Sequence, residues 1–312
     1  MKGLELSKQF YLAHGKDMLE RQFSLLAPRV AVGLAGEGSE CLGFDDDLST
    51  DHDFEPAFCL WLTEQDERQY GMELARAYRK LPKDFGGYSR QTLAPVGGSR
   101  HGVMTISNFY TRHLGAANAP DSYDRWLYTP SASLLCACNG EVFRDDLGEF
   151  SAVRQELRKG YPEDIRRKKL AAHAVLMAQA GLYNYARCIT RGENGAAQLA
   201  VFEFVKHAVS TVYLLNNRYE PFYKWAYRGM RELPLLSSLE PSLIALTELG
   251  NSQAEAAAKK ESMEEIAALF IAEYKHQGIT TTNSTDLERQ AYAIANGITD
   301  PNLRNRHIMD GI

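Results

Sequence analysis

Two aspartates one residue apart, Asp51 and Asp53, follow a glycine-rich stretch that ends in Gly38-Ser39, with eleven residues between Ser39 and Asp51. On a strand, side chains at i and i+2 point to the same face, about 6–7 Å apart. Carboxylates at that spacing suit Mg²⁺ or Mn²⁺ held against a triphosphate, where the cation neutralises charge on the phosphates and on a departing pyrophosphate. A Gly-Ser pair lets backbone N–H groups come close to a phosphate. Asp51 and Asp53 are therefore expected as catalytic metal ligands, with Gly38 and Ser39 on the β- and γ-phosphates. The chemistry this pairing suggests is nucleotidyl transfer. Neither common nucleotide loop is present: there is no Gly-x-x-x-x-Gly-Lys-Ser/Thr run, and Gly36-x-Gly38 lacks a third glycine at 41, where Cys41 stands.

A second constellation runs from Tyr219 to Arg228. A helix carrying Tyr223, Lys224 and Arg228 would present cations to a triphosphate, Lys224 as a compact point charge, with Tyr219 or Tyr223 stacking on a base. An aromatic interface between helices, with Lys224 extending along it to solvent, accounts for the same residues. Asn184, Arg187 and Arg191, at i, i+3 and i+7, share a helix face that is either a solvated surface or an anion contact, with Arg191 the candidate nucleotide ligand. His52, between the aspartates, points away from their face. His101 after Arg100 is a candidate substrate contact. The acidic run Asp45-Asp46-Asp47 reads as a turn whose carboxylates bond nearby backbone N–H groups.

These residues need elements to hold them. Residues 4–26 are predicted helical, ended by Pro28, and 29–35 form a buried strand entering the glycine turn. The stretch 52–62, rich in Phe, Leu and Trp, is predicted to be a central strand. Thr63 caps a helix running to about Leu81. Residues 101–110 are predicted as a further strand, 121–137 as helix interrupted at Pro130, Asn139-Gly140 as a turn and 141–143 as an extended piece. Beyond Ser151 the pattern becomes helical throughout, over 151–160, 162–189, 195–217, 219–232, 240–250, 252–277 and 284–296. The expected class is α+β, with a small mixed-sheet domain over 1–150 and an all-α helical bundle over 151–312.

The 312 residues carry a net charge of −5, and no basic stripe invites nucleic acid. Residues 1–150 hold 15 Lys/Arg against 22 Asp/Glu, a balance of −7; residues 151–312 hold 20 against 18, a balance of +2. An acidic metal-binding half with a mildly basic one suits a nucleotide; a chance partition of surface charge accounts for the same balance equally well. Five cysteines, odd in number and without paired ligand spacing, are expected as reduced thiols, with Cys136 and Cys138 packed in a core. No signal-peptide pattern or membrane-spanning run is present, so a cytoplasmic setting is expected.

Gly-Ser, a spacer of about a dozen residues and then Asp-x-Asp resembles the signature of the nucleotidyltransferase superfamily, which includes DNA polymerase β, kanamycin nucleotidyltransferase and lincosamide nucleotidyltransferases. The run from Gly33 to Asp53 is similar, more closely, to a bacterial family of this fold that carries no assigned substrate. That similarity extends to Arg100-His101-Gly102-Val103, to Val142-Phe143 with Asp146-x-Gly148-Glu149, and to Asn216-Asn217-Arg218-Tyr219-x-Pro221-Phe222-Tyr223-Lys224-Trp225. It covers roughly residues 5–235. The resemblance implies an α+β nucleotidyltransferase domain followed by helices that contribute phosphate contacts. It also implies Mg²⁺ or Mn²⁺ and a nucleoside triphosphate, with ATP the first expectation; the acidic chain without a basic stripe favours a small polar acceptor bearing a hydroxyl or phosphate over nucleic acid. A third carboxylate should sit on a neighbouring strand, yet residues 102–109 hold no Asp or Glu. Asp145, Asp146 and Glu149 are substitutes, or else a charge cluster at a helix start. The alternatives are a nucleotide-sensing module without transfer, or a toxin–antitoxin-type enzyme acting on protein or tRNA; a homodimer stays open.

Overall fold

The computed structural model describes residues 1–51, 54–90 and 100–312. The architecture is α+β, with one small mixed sheet in the N-terminal part and helices thereafter. The chain divides into two compact units, one of residues 1–121 and 131–159, the other of residues 122–130 and 160–312.

The strands are β1 (Ala31–Leu34), β2 (Cys59–Leu62), β3 (Asp84–Phe85), β4 (Tyr88–Ser89), β5 (Gly102–Thr105) and β6 (Glu141–Arg144). The four-stranded sheet has the order β5-β2-β1-β6, while β3 and β4 form a hairpin of their own. β1 pairs antiparallel with β2 (Ala31 opposite Trp61) and with β6, where the register shifts between Val32 and Gly33. β5 pairs parallel with β2, Cys59 opposite Gly102. Alternation along β2 sends side chains to two faces. Leu60 and Leu62 join Phe10, Leu19, Phe58 and Leu74 in one apolar cluster. Trp61 instead stacks on Phe150, with ring centroids 3.8 Å apart, and meets Phe109 edge-on at 5.4 Å.

Three sequence-predicted elements come out differently. Of the strand predicted over 52–62, the described residues 54–62 are extended in a strand only at Cys59–Leu62, and Asp51 closes a 3₁₀ turn, Asp47–Asp51. That turn is started by Asp46, whose Oδ1 accepts from the backbone N–H of Ser49 at 3.1 Å. The strand predicted over 101–110 is only β5, because the Thr105 hydroxyl accepts from the N–H of Asn108 and starts the helix Ile106–Leu114. The first helix ends at Gln22 rather than residue 26 and contains a π turn, Tyr11–Gly15. Thr63 caps the helix Glu64–Arg79 as expected, accepting from the N–H of Asp66.

In the second unit the helices Glu163–Met177, Asn194–Leu215 and Leu287–Asn296 pack together. The helix Tyr123–Tyr128 packs with this unit through the Leu127 carbonyl, which accepts from the Lys169 ammonium at 2.7 Å. Lys169 donates a second 2.7 Å bond to the Gly311 carbonyl. His173 and His207 face each other with their Nδ1 atoms 2.9 Å apart. Burial pushes both imidazoles down, His207 to about 4, so near neutral pH both are uncharged and one donates to the other.

Burial without a carboxylate partner drags Lys169 from 10.5 down to about 8. Between those values the unfolded chain holds a proton that the folded chain has lost, so stability rises with pH across that window. Urea midpoints of the wild type and Lys169→Met at pH 7.5 and pH 10 test this. The wild type should gain about 2 kcal/mol relative to the variant over that interval. An unchanged difference between the two proteins would show that Lys169 titrates normally.

Candidate active site

β1 delivers the chain into Ala35-Gly36-Glu37-Gly38-Ser39 at the end of the sheet. Gly36 and Gly38 have φ of +115° and +121°, a region that suits residues without a Cβ. Asn139, in the turn before β6, clamps this loop. Its Oδ1 accepts from the Gly36 N–H at 2.9 Å and its Nδ2 donates to the Gly36 carbonyl at 2.8 Å. Both bonds are buried, so losing them strands two backbone groups. Asn139→Ala should lower stability by about 2–3 kcal/mol, read as a fall in the urea midpoint at unchanged slope.

Ser39 is tied to the acidic turn. Its hydroxyl donates to Ser49 Oγ at 3.2 Å, and Ser49 in turn donates to Asp46 Oδ1 at 3.1 Å. The Gly-Ser turn is thereby held against the 3₁₀ turn that ends in Asp51. Asp53 and His52 lie outside the described residues, as does the Asp51 side chain. The argument that both aspartates share one strand face does not hold for Asp51, which belongs to a 3₁₀ turn. Asp45 serves the N-terminus: its buried carboxylate accepts from the Gly3 N–H at 2.7 Å and pairs with Lys2 at 3.5 Å.

Beside the glycine turn is a cleft of about 200 Å³, lined by Gly36, Glu37, Arg100, His101, Arg112 and His113 among others. Arg100 Nη1 donates to the Glu37 carbonyl at 3.1 Å, and Nη2 lies 3.3 Å from the buried Glu40 carboxylate. Arg112 Nη2 lies 3.2 Å from the Glu37 carboxylate. His101, at the entrance to β5, has Nδ1 3.0 Å from Glu55 Oε1. His113 stands edge-on to Phe109 at 4.9 Å, and burial lowers its pKa, so the ring is neutral near pH 7. Two guanidiniums, two imidazoles and a glycine turn suit an anion of phosphate type.

The substitute carboxylates are otherwise engaged. Asp145 accepts from the N–H groups of Gly148 and Ser151, at 3.0 and 2.7 Å, around the start of the helix Glu149–Leu157. Asp146 pairs with Arg144 at 2.6 Å. Among the described residues, no three His, Cys, Asp or Glu side chains converge on a metal position. The five cysteines are free thiols; burial holds Cys136 and Cys138 at about 11 and Cys59 at about 12, which keeps them protonated.

The remaining predicted ligands belong to the second unit. Lys224 and Arg228, on the helix Tyr223–Met230, both stand over the Trp225 ring, 5.4 and 5.8 Å from its centroid. Tyr223 is 77% exposed and packs on Phe222 at 4.4 Å. Tyr219 is buried, edge-on to Tyr161 at 4.9 Å. Asn184, Arg187 and Arg191 are all exposed, with Arg187 over the Tyr183 ring and Arg191 ending the helix Tyr185–Thr190. They form a solvated face.

Sequence reasoning missed Glu37, Glu40, Arg112, His113 and Asn139. The basic pair Arg112-His113 was a signal, but reading 101–110 as a strand left it beyond that element's end. No helix among the described residues is long and apolar enough to cross a membrane. The profile of a family described as a domain of unknown function (DUF4037) matches residues 126–226, a stretch that includes Asn139 and Trp225. No curated protein and no solved structure matches the chain.

Proposed function

We propose that this chain is a Mg²⁺-dependent nucleotidyltransferase that moves a nucleoside monophosphate from a nucleoside triphosphate, ATP first, to a hydroxyl or phosphate of a small polar acceptor. The observation that carries the reading is the Ser39–Ser49 hydrogen bond, which joins the Gly-Ser turn to the turn bearing Asp51. The Gly-Ser turn and the backbone of the turn that ends in Asp51 thus lie in one locality, which suits a metal-bound triphosphate. The matched family is associated with nucleotidyltransferase-like proteins, which supports the same reading.

Asp51 and Asp53 would hold the cation, whose chemistry is to neutralise triphosphate charge. The turn beyond Gly36, at Gly38-Ser39, would offer backbone N–H groups to phosphate oxygens. Arg100 and Arg112 counter negative charge that builds on the leaving group. His101, oriented through Nδ1 by Glu55, is the imidazole in the cleft that suits removal of the acceptor's proton, in place of the carboxylate that β5 lacks. That same lack on β5 favours a second reading, a sensor that binds the nucleotide without transfer.

The test is to incubate the protein with each labelled triphosphate, Mg²⁺ and a small-molecule cell extract, following pyrophosphate release and the labelled product. A non-hydrolysable triphosphate measures binding separately. Release with a nucleotidylated product supports the enzyme, and binding without release supports the sensor. Failure to bind any triphosphate overturns both.

A further inference from the structure

Glu40 lies against the glycine turn at Gly38. At Gly38, a Cβ built on the backbone would lie 2.4 and 2.5 Å from the two carboxylate oxygens of Glu40. The carboxylate therefore fills the space that the absent side chain leaves open. Glu40 is only 8% exposed, and its charge is met by Arg100, 3.3 Å from Oε1. Arg100 also grips the turn at the Glu37 carbonyl and lines the cleft. A carboxylate lodged against a glycine with a guanidinium beside it reproduces the surroundings that a phosphoryl group selects. Arg112 repeats the pattern more openly, paired with the Glu37 carboxylate at half exposure.

We propose that Glu40 is a resident anion at the glycine turn, and that a phosphoryl group binds by displacing it from Arg100. This rests on the nucleotide-binding reading above. The exchange sets affinity. In the ligand-free protein Arg100 pairs with Glu40. With a phosphoryl group at the turn, Arg100 passes to the ligand and Glu40 is left as a like charge beside it, which weakens binding. The arrangement also selects for charge. A triphosphate with its cation repays the loss of the Arg100–Glu40 pair, whereas a neutral or singly charged ligand does not.

The test compares binding of a non-hydrolysable ATP analogue with Mg²⁺, and of inorganic tripolyphosphate, to the wild type, Glu40→Gln, Arg100→Met and the double variant. Glutamine keeps the shape of Glu40 and removes its charge, and thermal melting verifies that each variant is folded. Glu40→Gln should bind both probes about tenfold tighter. Arg100→Met should bind more weakly, and the gain from Glu40→Gln should shrink in its background, since the two residues act as a pair. Glu37→Gln, at a more exposed pair, should show a smaller gain. If the wild type binds and Glu40→Gln binds equally or more weakly, the resident-anion inference falls while the nucleotide reading stands. If neither protein binds either probe, both fall.

Discussion

Asp51→Asn and Asp53→Asn should each reduce triphosphate turnover by roughly 10³-fold, about 4 kcal/mol of transition-state stabilisation. Asparagine matches aspartate in size but carries no charge, so it ligates Mg²⁺ poorly. The melting temperature should stay close to that of the wild type, because asparagine keeps the size of aspartate and removes one negative charge from a chain that is already net negative. This combination separates a catalytic role from a structural one. Pyrophosphate release at saturating ATP and Mg²⁺, together with a thermal melt, reads both. Turnover that survives in both variants would remove these aspartates from the chemistry and with them the proposed metal site. Loss of turnover together with loss of fold would make them structural. Raising Mg²⁺ or replacing it with Mn²⁺ should recover part of the activity of the weaker-binding variant, since the defect is one of cation affinity.

Gly140→Ala should be the most damaging single substitution to the sheet. Gly140 follows Asn139 with φ of +64°, and a Cβ there would lie 2.0 Å from the Leu34 carbonyl oxygen and 2.9 Å from Ala35 Cα. Both clashes are with backbone, which cannot swing aside as a side chain can. The Gly140 N–H also donates to the Cys41 carbonyl at 2.9 Å, so the turn cannot move away without losing that bond. Nearby, Arg154 Nη1 donates to the Asn139 carbonyl at 2.6 Å, and burial lowers this guanidinium to about 10. Backbone strain combined with overpacking places the expected loss at 3 kcal/mol or more, roughly a ten-degree drop in melting temperature. Triphosphate binding should weaken as well, because the displaced turn carries the Asn139 clamp on Gly36. A melting temperature within about two degrees of the wild type would show that β1 and this turn can separate at little cost.

Much of this architecture could be read along the chain because it rests on local chemistry. Thr63 caps a helix wherever a hydroxyl precedes an acidic first turn, and Thr63 does so here. Ser252 and Glu255 form a reciprocal capping box at the head of the helix Gln253–His276, inside the stretch expected to be helical. The turn at Asn139-Gly140 follows from the same kind of local rule. The errors fall where two local preferences compete. Residues 101–110 mix apolar and β-branched types that fit a strand or a buried helix equally well. The Thr105 cap resolved this by ending the strand after four residues. Asp45 bonds the N-terminus and Asp46 starts a turn, and among the described residues β2 begins only at Cys59, later than its aromatic content suggests.

What the sequence determined by itself was the α+β class and the helical second half, each of which depends on residues within a turn or two of one another. Only the tertiary structure decided which side chains stand at the glycine turn. Glu37 and Glu40 meet Arg100 and Arg112 there, and Asn139 clamps Gly36 from about a hundred residues away in sequence. No periodicity or spacing encodes such pairings. They arise because the sheet order β5-β2-β1-β6 brings the end of β1, the entrance to β5 and the turn before β6 together.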